Sequence, residues 1–467
     1  MEPQPKTKFT YPLIALTTLF FMWGFITVLN DILIPYLKGV FELTHFQANL
    51  VQFAFFGAYF IGSLLYFLIS LIFGDPINKI GYKNGILIGL FISALSCFLF
   101  YPAANTFHSF GFFLFALFLL GIGFTVLQIA ANPYVAVMGS PETASSRLNL
   151  SQAFNSLGTT LAPVLGGFFI FEYFASKTDV GAESVKVPYL ILGGVLILLM
   201  FFIWFSKLPA LNSHDHIEKK AGALKHPNLI FGMFAIFFYV GAEVTIGSNL
   251  VSFLKLPEIV GFSAGEASNY LAYYWGGAMI GRFLGAISLS KMKKTGKYLL
   301  MLLMAVLTFI LIFTITWYMK GLTLDKVWYF LIFIVANYFL FMLGRSLPTR
   351  TLAYFSVVAF CLLLAAVSTN GIVAMWCVLG IGLFNSIMWS NIFTLAIDGL
   401  GRYTSQGSSL LVMMILGGAL LPPLQGLVAD NFNVHISFVV PMFSYLYLLF
   451  YGLRGYRKKE SLTSESL

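Results

Sequence analysis

Long apolar runs alternate with short polar breaks along almost the whole chain. They cover 11–37, 47–73, 84–103, 109–138, 148–174 and 187–206, and a polar segment at 207–228 follows. Eight more follow at 229–253, 266–289, 297–319, 327–345, 351–369, 372–398, 406–429 and 435–455. A helix crossing a bilayer core about 30 Å thick needs about 20 apolar residues, and most runs meet that length. The pattern predicts an all-α polytopic membrane protein with about 14 transmembrane helices, six before the polar segment and eight after it.

Composition agrees with this pattern. Of 467 residues 59% are hydrophobic and 10% charged, and mean hydropathy is +0.87, too apolar for a set of soluble domains. The net charge of +9 does not point to nucleic acid, because the basic residues gather in alternate breaks. With both termini in the cytoplasm, 21 of the 27 Lys and Arg fall on the inner side. The 6 outer ones are Lys38, Lys177, Lys186, Lys255, Lys320 and Lys326. This asymmetry fixes the expected orientation. Met1 to Thr10 is short and polar, so the first apolar run is expected to insert as a helix and not to act as a cleaved signal. Cys97, Cys361 and Cys377 lie inside apolar runs without metal-ligand spacing and read as packing residues.

Weak internal repeats are present. Leu120-Gly121-Ile122-Gly123 and Asn132 recur 259 positions later as Leu379-Gly380-Ile381-Gly382 and Asn391, and Leu157-Gly158 and Pro163 recur likewise as Leu416-Gly417 and Pro422. Earlier matches are shorter in offset: Gly57 and Gly62 map onto Gly276 and Gly281 at 219, and Gly24 maps onto Gly241 at 217. The offset therefore grows by about 40 residues, two spanning helices, between 281 and 380. The expected plan is a six-helix bundle (1–206), a cytoplasmic linker (207–228), a second bundle (229–455) with an inserted hairpin near 297–346, and a cytoplasmic tail (456–467).

Ionisable residues at membrane depth cost at least ~2.5 kcal/mol and mark function. Asp31 and Glu243 are the clear cases, one in each half. Asp31 shares a face with Gly24 and Thr27; Glu243 follows Tyr239 by one turn. Each can bind a proton or Na⁺, or, more blandly, cap a neighbouring helix or pair with Arg282. Neutral polar residues form stripes at helical spacing: Gly121, Thr125, Gln128 and Asn132; then Asn149, Gln152, Ser156 and Thr160, with Asn155 beside them. Asn385, Trp389 and Asn391 gather later, and Asn30 precedes Asp31. Amides offer donors and acceptors together, matching sugar hydroxyls, while Tyr273, Tyr274, Trp275 and Trp389 offer flat apolar faces. The bland alternative is interhelical hydrogen bonding. Pro133, Pro163, Pro422 and Pro423 are expected to interrupt helices that line a cavity.

Several motifs carry a resemblance. Gly74-Asp75-Pro76-Ile77-Asn78-Lys79-Ile80-Gly81-Tyr82-Lys83 looks like a degenerate major facilitator loop, with Asn78 where an aspartate is usual. Asn30-Asp31, Gln128-Ile129-Ala130-Ala131-Asn132-Pro133-Tyr134, the run from Ser145 to Gly158, and Tyr239-Val240-Gly241-Ala242-Glu243 resemble the fucose–galactose–glucose:cation symporter family, its glucose/galactose branch in particular. The resemblance covers the chain except the extra hairpin. It implies the major facilitator fold and import of a monosaccharide, a hexose such as glucose, galactose or mannose, by alternating-access symport with Na⁺ or H⁺. Asp31 matches the family's first-helix carboxylate for substrate binding and coupling, and Gln128 stands where fucose-type members carry a glutamate, leaving Glu243 to supply charge.

The candidate site is thus Asp31 and Glu243 for the coupling ion, with Asn30, Asp31, Gln128, Asn132, Asn149, Gln152, Asn155, Glu243, Tyr274, Asn385 and Trp389 for the sugar. No metal, no cofactor beyond the coupling cation and no nucleic acid are expected, and the chain reads as a monomer in a bacterial inner membrane. An efflux antiporter and a non-transporting sugar sensor are the alternatives; an enzyme is not expected.

Overall fold

The structure, a computed structural model, describes residues 10–42, 45–167, 183–209 and 220–457. Among these residues the regular structure is helical: α1 (Thr10–Val40), α2 (His45–Phe73), α3 (Pro76–Ile80), α4 (Tyr82–Pro102), α5 (Phe110–Val137), α6 (Ala144–Gly167), α7 (Glu183–Phe205), α8 (Pro227–Leu254) and α9 (Ala264–Ser288). Then come α10 (Lys294–Lys320), α11 (Leu324–Val327), α12 (Tyr329–Leu343), α13 (Pro348–Ser368), α14 (Gly371–Asn385), α15 (Met388–Ala396), α16 (Thr404–Met413), α17 (Gly417–Asn431), α18 (Val434–Ser437) and α19 (Val439–Phe450). Every apolar run falls on helix, the run 148–174 being described only to Gly167.

Eleven described helical segments are long and apolar enough to cross a membrane, and Tyr329–Leu343 is a shorter apolar helix. Neither α6 nor α9 is among the eleven. The reason is chemical: α6 carries Asn149, Ser151, Gln152, Asn155, Ser156, Thr159 and Thr160, and α9 carries Glu266, Asn269 and Arg282. A helix that lines a polar interior loses mean hydropathy on one face.

The prolines do not interrupt the helices as expected. Helix runs through Pro133 in α5 and through Pro422-Pro423 in α17, since a missing N–H removes only one ladder bond in a helix supported by neighbours. The breaks come elsewhere: between α14 and α15, and at the 3₁₀ turn Met414–Leu416 between α16 and α17.

Helices approach most closely at glycines. A Cβ on Gly158 would strike the Phe21 carbonyl oxygen of α1, and one on Gly417 would strike the Phe237 carbonyl oxygen of α8. α6 packs along α1 and α9, α5 along α2 and α4, and α14 along α9 and α13. α10 packs chiefly on α9, and α12 on α9 and α14. The ends of this pair are tied together: the buried Lys297 ammonium donates to the carbonyls of Ser288 (2.9 Å) and Ser290 (2.7 Å) and to Ser346 Oγ (2.9 Å). Ser346 Oγ in turn donates to the Ser288 carbonyl at 2.6 Å.

Candidate solute and coupling site

The most connected polar group in the interior is built on α8. Glu243 Oε1 accepts from the Tyr239 hydroxyl one turn earlier (2.8 Å) and lies 3.7 Å from Arg282 Nη2 on α9. Both charged side chains are nearly buried, at 13% and 11% exposure. Two charges so far from water are tolerable only when paired and hydrogen-bonded, and here they are both. The Tyr274 hydroxyl of α9 donates to the Glu243 carbonyl at 3.0 Å and accepts from Asn385 Nδ2 of α14 at 3.1 Å. Asn385 Oδ1 accepts from the Tyr445 hydroxyl of α19 at 2.7 Å. Arg282 Nε donates to the Ser386 carbonyl at 3.2 Å, and its Nη1 donates to Ser156 Oγ on α6. One chain of hydrogen bonds, joined by the Arg282–Glu243 ion pair, thus runs from α6 through α9 and α8 to α14 and α19.

The other predicted residues occupy three places. Asn155 Nδ2 donates to the Phe20 carbonyl of α1 at 3.0 Å, which puts it at the α1–α6 seam. Gln128 and Trp23 lie near the Tyr59 hydroxyl of α2, and Gln128 Oε1 has no partner. Gln152 is buried on α6, on the same stripe as Ser156. Asn149 lies elsewhere: its Nδ2 donates to the Ser145 carbonyl (2.8 Å) and to Asn391 Oδ1 of α15 (3.2 Å). That is the interhelical bonding set out as the alternative for the amides. Asn132 is fully buried with neither amide atom paired, and Trp389 stacks on Phe393 with an unpaired Nε1. Tyr273 is turned away from Glu243, its hydroxyl on Thr316 of α10 and its ring against Phe330. Asn30 and Asp31 sit on the α1 backbone, and their side chains lie outside the described residues. Among the described residues no cluster of His, Cys, Asp or Glu could hold a metal.

The molecule is closed at the end bearing the 74–83 loop. Asn78 Nδ2 donates to the Arg402 carbonyl at 2.6 Å, Ser145 and Thr394 share a hydroxyl hydrogen bond at 2.6 Å, and Lys291 meets Glu142 at 3.3 Å. Gln406 on α16 donates to Ser70 Oγ of α2 (3.0 Å) and accepts from the Ala223 N–H (3.0 Å). Asp75 caps α3 through the N–H groups of Ile77 and Asn78 and accepts from Tyr66 at 2.6 Å. Burial holds its carboxyl above the usual carboxylate range against the pull of these donors.

The family model of the Major Facilitator Superfamily matches residues 13–346. A curated "Glucose/galactose transporter" of Brucella abortus is 42% identical, over 97% of this chain and 96% of that one. A "Putative glucose/galactose transporter" of Helicobacter pylori is 39% identical over 98% and 99%, and the "L-fucose-proton symporter" of Escherichia coli is 31% identical over 91% and 88%. The crystal structure of that fucose transporter, FucP, in the outward conformation aligns with a TM-score of 0.73 at 30% identity, covering 96% of this chain and 99% of that one.

The chain belongs to the major facilitator superfamily. Within it, the chain is a member of the fucose–galactose–glucose:cation symporter family, a multi-pass membrane protein whose relatives are transporters and not enzymes.

Among the polar interior of this major facilitator chain, sequence reasoning passed over Tyr445, Ser386 and Tyr59. Tyr445 lies in a uniformly apolar last helix, and only packing across 60 residues of chain brings it to Asn385. Tyr59 shares a buried stripe with Ser63, Tyr66 and Ser70 of α2, a signal at helical spacing that was not singled out. The cleft of about 610 Å³ between α1 and α6, lined by Leu13, Ile14, Phe21, Leu150 and Phe154 among others, contains none of the predicted polar residues.

Proposed function

We propose that the chain is a secondary active transporter that imports a monosaccharide, a hexose such as glucose or galactose, together with Na⁺ or H⁺ by alternating access. The observation that carries this reading is the near full-length likeness to a glucose/galactose transporter at 42% identity. The connected Glu243–Tyr274–Asn385–Tyr445 group and the α6 stripe supply the kind of donors and acceptors that sugar hydroxyls need. The proposed sugar site takes Asn30, Asp31, Gln128, Asn132, Gln152, Asn155, Glu243, Tyr274, Asn385 and Trp389, with Asp31 and Glu243 responding to the cation; Asn149, expected there from the sequence, is committed to Asn391 instead. No cofactor takes part.

Two related bundles and an added hairpin make up the proposed architecture, with about 14 crossings and both termini in the cytoplasm of a bacterial inner membrane. The packing supports it. With α10–α12 set aside, α9 on α14 repeats α2 on α5, α13 on α14 and α19 repeats α4 on α5 and α7, and α8 on α17 repeats α1 on α6. The paired close approaches of Gly158 and Gly417 fit the same duplication.

Thermal unfolding of the purified protein with a panel of hexoses tests the substrate class. A hexose at about 100 times its Kd should stabilise by about 2.7 kcal/mol, with acyclic polyols inert and Gln152→Ala and Asn385→Ala losing the response. Stabilisation by amphipathic drugs and by no sugar would overturn the reading.

A further inference from the structure

Arg282 holds together three elements that the transport cycle must move. Its guanidinium spends one N–H on each of three directions: Nη2 toward Glu243 on α8, Nε to the Ser386 carbonyl just past α14, and Nη1 to Ser156 on α6. The first two partners lie after the linker and the third before it. Among the described contacts, this is the one that joins a buried charge on one side of the linker to a polar side chain on the other. Among the described residues, the groups facing Glu243 and Arg282 are Tyr239, Tyr274, Ser386 and Ser156, with Asn385 and Tyr445 behind Tyr274. None of them carries a compensating charge, so the orientation of Arg282 depends on the charge of Glu243.

We infer that Arg282 is a positioning residue that carries the charge state of Glu243 to α6: with Glu243 ionised, the guanidinium is held where it clamps Ser156 and keeps α6 against α9. This deepens the transport reading and rests on it only for the meaning of the two states. When a cation or a proton neutralises Glu243, the ion pair no longer orients the guanidinium, the clamp on Ser156 weakens, and the state with the 74–83 end sealed loses population. A planar five-donor group can serve three directions at once, which the ammonium of lysine on its flexible stem does not reproduce. No chemistry on the sugar is required of Arg282.

The test reads the seal itself and involves no sugar, so its failure stands apart from a failure of the transport reading. Ser145→Cys places a thiol at the buried contact of α6 with Thr394 of α15. Its alkylation by a membrane-permeant maleimide in liposomes, followed residue by residue by mass spectrometry, reports opening. Cys97, fully buried in α4, reports unfolding in the same sample. In this background Arg282→Lys, Ser156→Ala and Glu243→Gln should each raise the labelling rate of the reporter about tenfold, the shift expected for losing one hydrogen bond to a charged group, while Cys97 stays unlabelled. Ser156→Ala removes a single hydroxyl, so it supplies the answer even if a charge variant does not fold. Labelling at the wild-type rate in folded Ser156→Ala would overturn the inference. A rise in Ser156→Ala without one in Glu243→Gln would overturn its dependence on Glu243.

Discussion

Asn385 shows how much a single amide can organise. Both of its polar atoms are committed to tyrosine hydroxyls from different helices, so it sets the spacing of α9, α14 and α19 around Glu243. Asn385→Ala strands the buried Tyr445 hydroxyl, at a cost of roughly 1–3 kcal/mol, and takes one of two hydrogen bonds from Tyr274, which keeps the Glu243 carbonyl. The melting temperature should fall by several degrees, whereas Tyr445→Phe, which removes one partner and leaves Asn385 bonded to Tyr274, should cost less; differential scanning fluorimetry separates the two. Asp75 gives a pH prediction. Its folded-state carboxyl titrates above the usual range because it is buried. Such a group adds stability below its unfolded value of about 3.9 and loses it as pH rises through the folded value. Melting temperature should therefore decline from mildly acidic toward neutral pH, and Asp75→Asn should flatten that decline. At this scale the sequence marked Glu243, Tyr274 and Asn385 as candidates, and the structure joins them through the Tyr274 hydroxyl. It could not separate the amides near Glu243 from Asn149, which bonds Asn391 instead. All lie on helical stripes, and only the tilt and rotation of each helix decide what a stripe faces.

At the scale of helices, the repeat offsets propose a hairpin inserted into the second half, and described helices occupy the stretch they mark. The sequence placed it at 297–346, and the structure has α10 to α12 at Lys294–Leu343, entering and leaving through the hydrogen-bonded Ser288, Lys297 and Ser346. An insertion that starts and ends at one point leaves the elements on either side in register. Replacement of residues 291–345 by a short glycine linker should therefore yield a protein that inserts and still binds hexose in the same thermal assay, at lower stability because α9 loses its packing on α10. Complete loss of folded protein would show that the pair is integral to the second bundle. Less legible were the helix breaks. Proline was the expected signal, yet the breaks fall at Ser386-Ile387 and Met414–Leu416, where tertiary packing and not local propensity sets the backbone. The span count was also blurred, since α6 and α9 trade apolar residues for the polar faces that make them useful.

Across the whole molecule, the sealed 74–83 end and the buried charge network describe one working state, and its likeness to FucP in the outward conformation extends over 96% of the chain. The seal combines weak and strong elements. Lys291–Glu142 is exposed on both sides and contributes at most about 1 kcal/mol. The buried Ser145–Thr394, Asn149–Asn391 and Gln406 bonds contribute more per contact because water does not compete for them. A transporter needs such a seal to be strong enough to close and weak enough to open, which sums of modest hydrogen bonds allow. The class was readable from hydropathy, since the bilayer imposes it on every helix; sidedness, from the basic-residue count, and duplication, from the repeat offsets, are parts of the proposal. The cation was not, because a carboxylate in a membrane serves H⁺ and Na⁺ alike.

Uptake of radiolabelled hexose into proteoliposomes under separately imposed Na⁺ and proton gradients, for wild type and Asp31→Asn, tests symport most directly. Wild type should accumulate the sugar above its external concentration under one of the two gradients, and Asp31→Asn should lose accumulation. Folded wild-type protein that accumulates no hexose under either gradient, or Asp31→Asn that accumulates as wild type does, would contradict ion-coupled sugar import through this carboxylate.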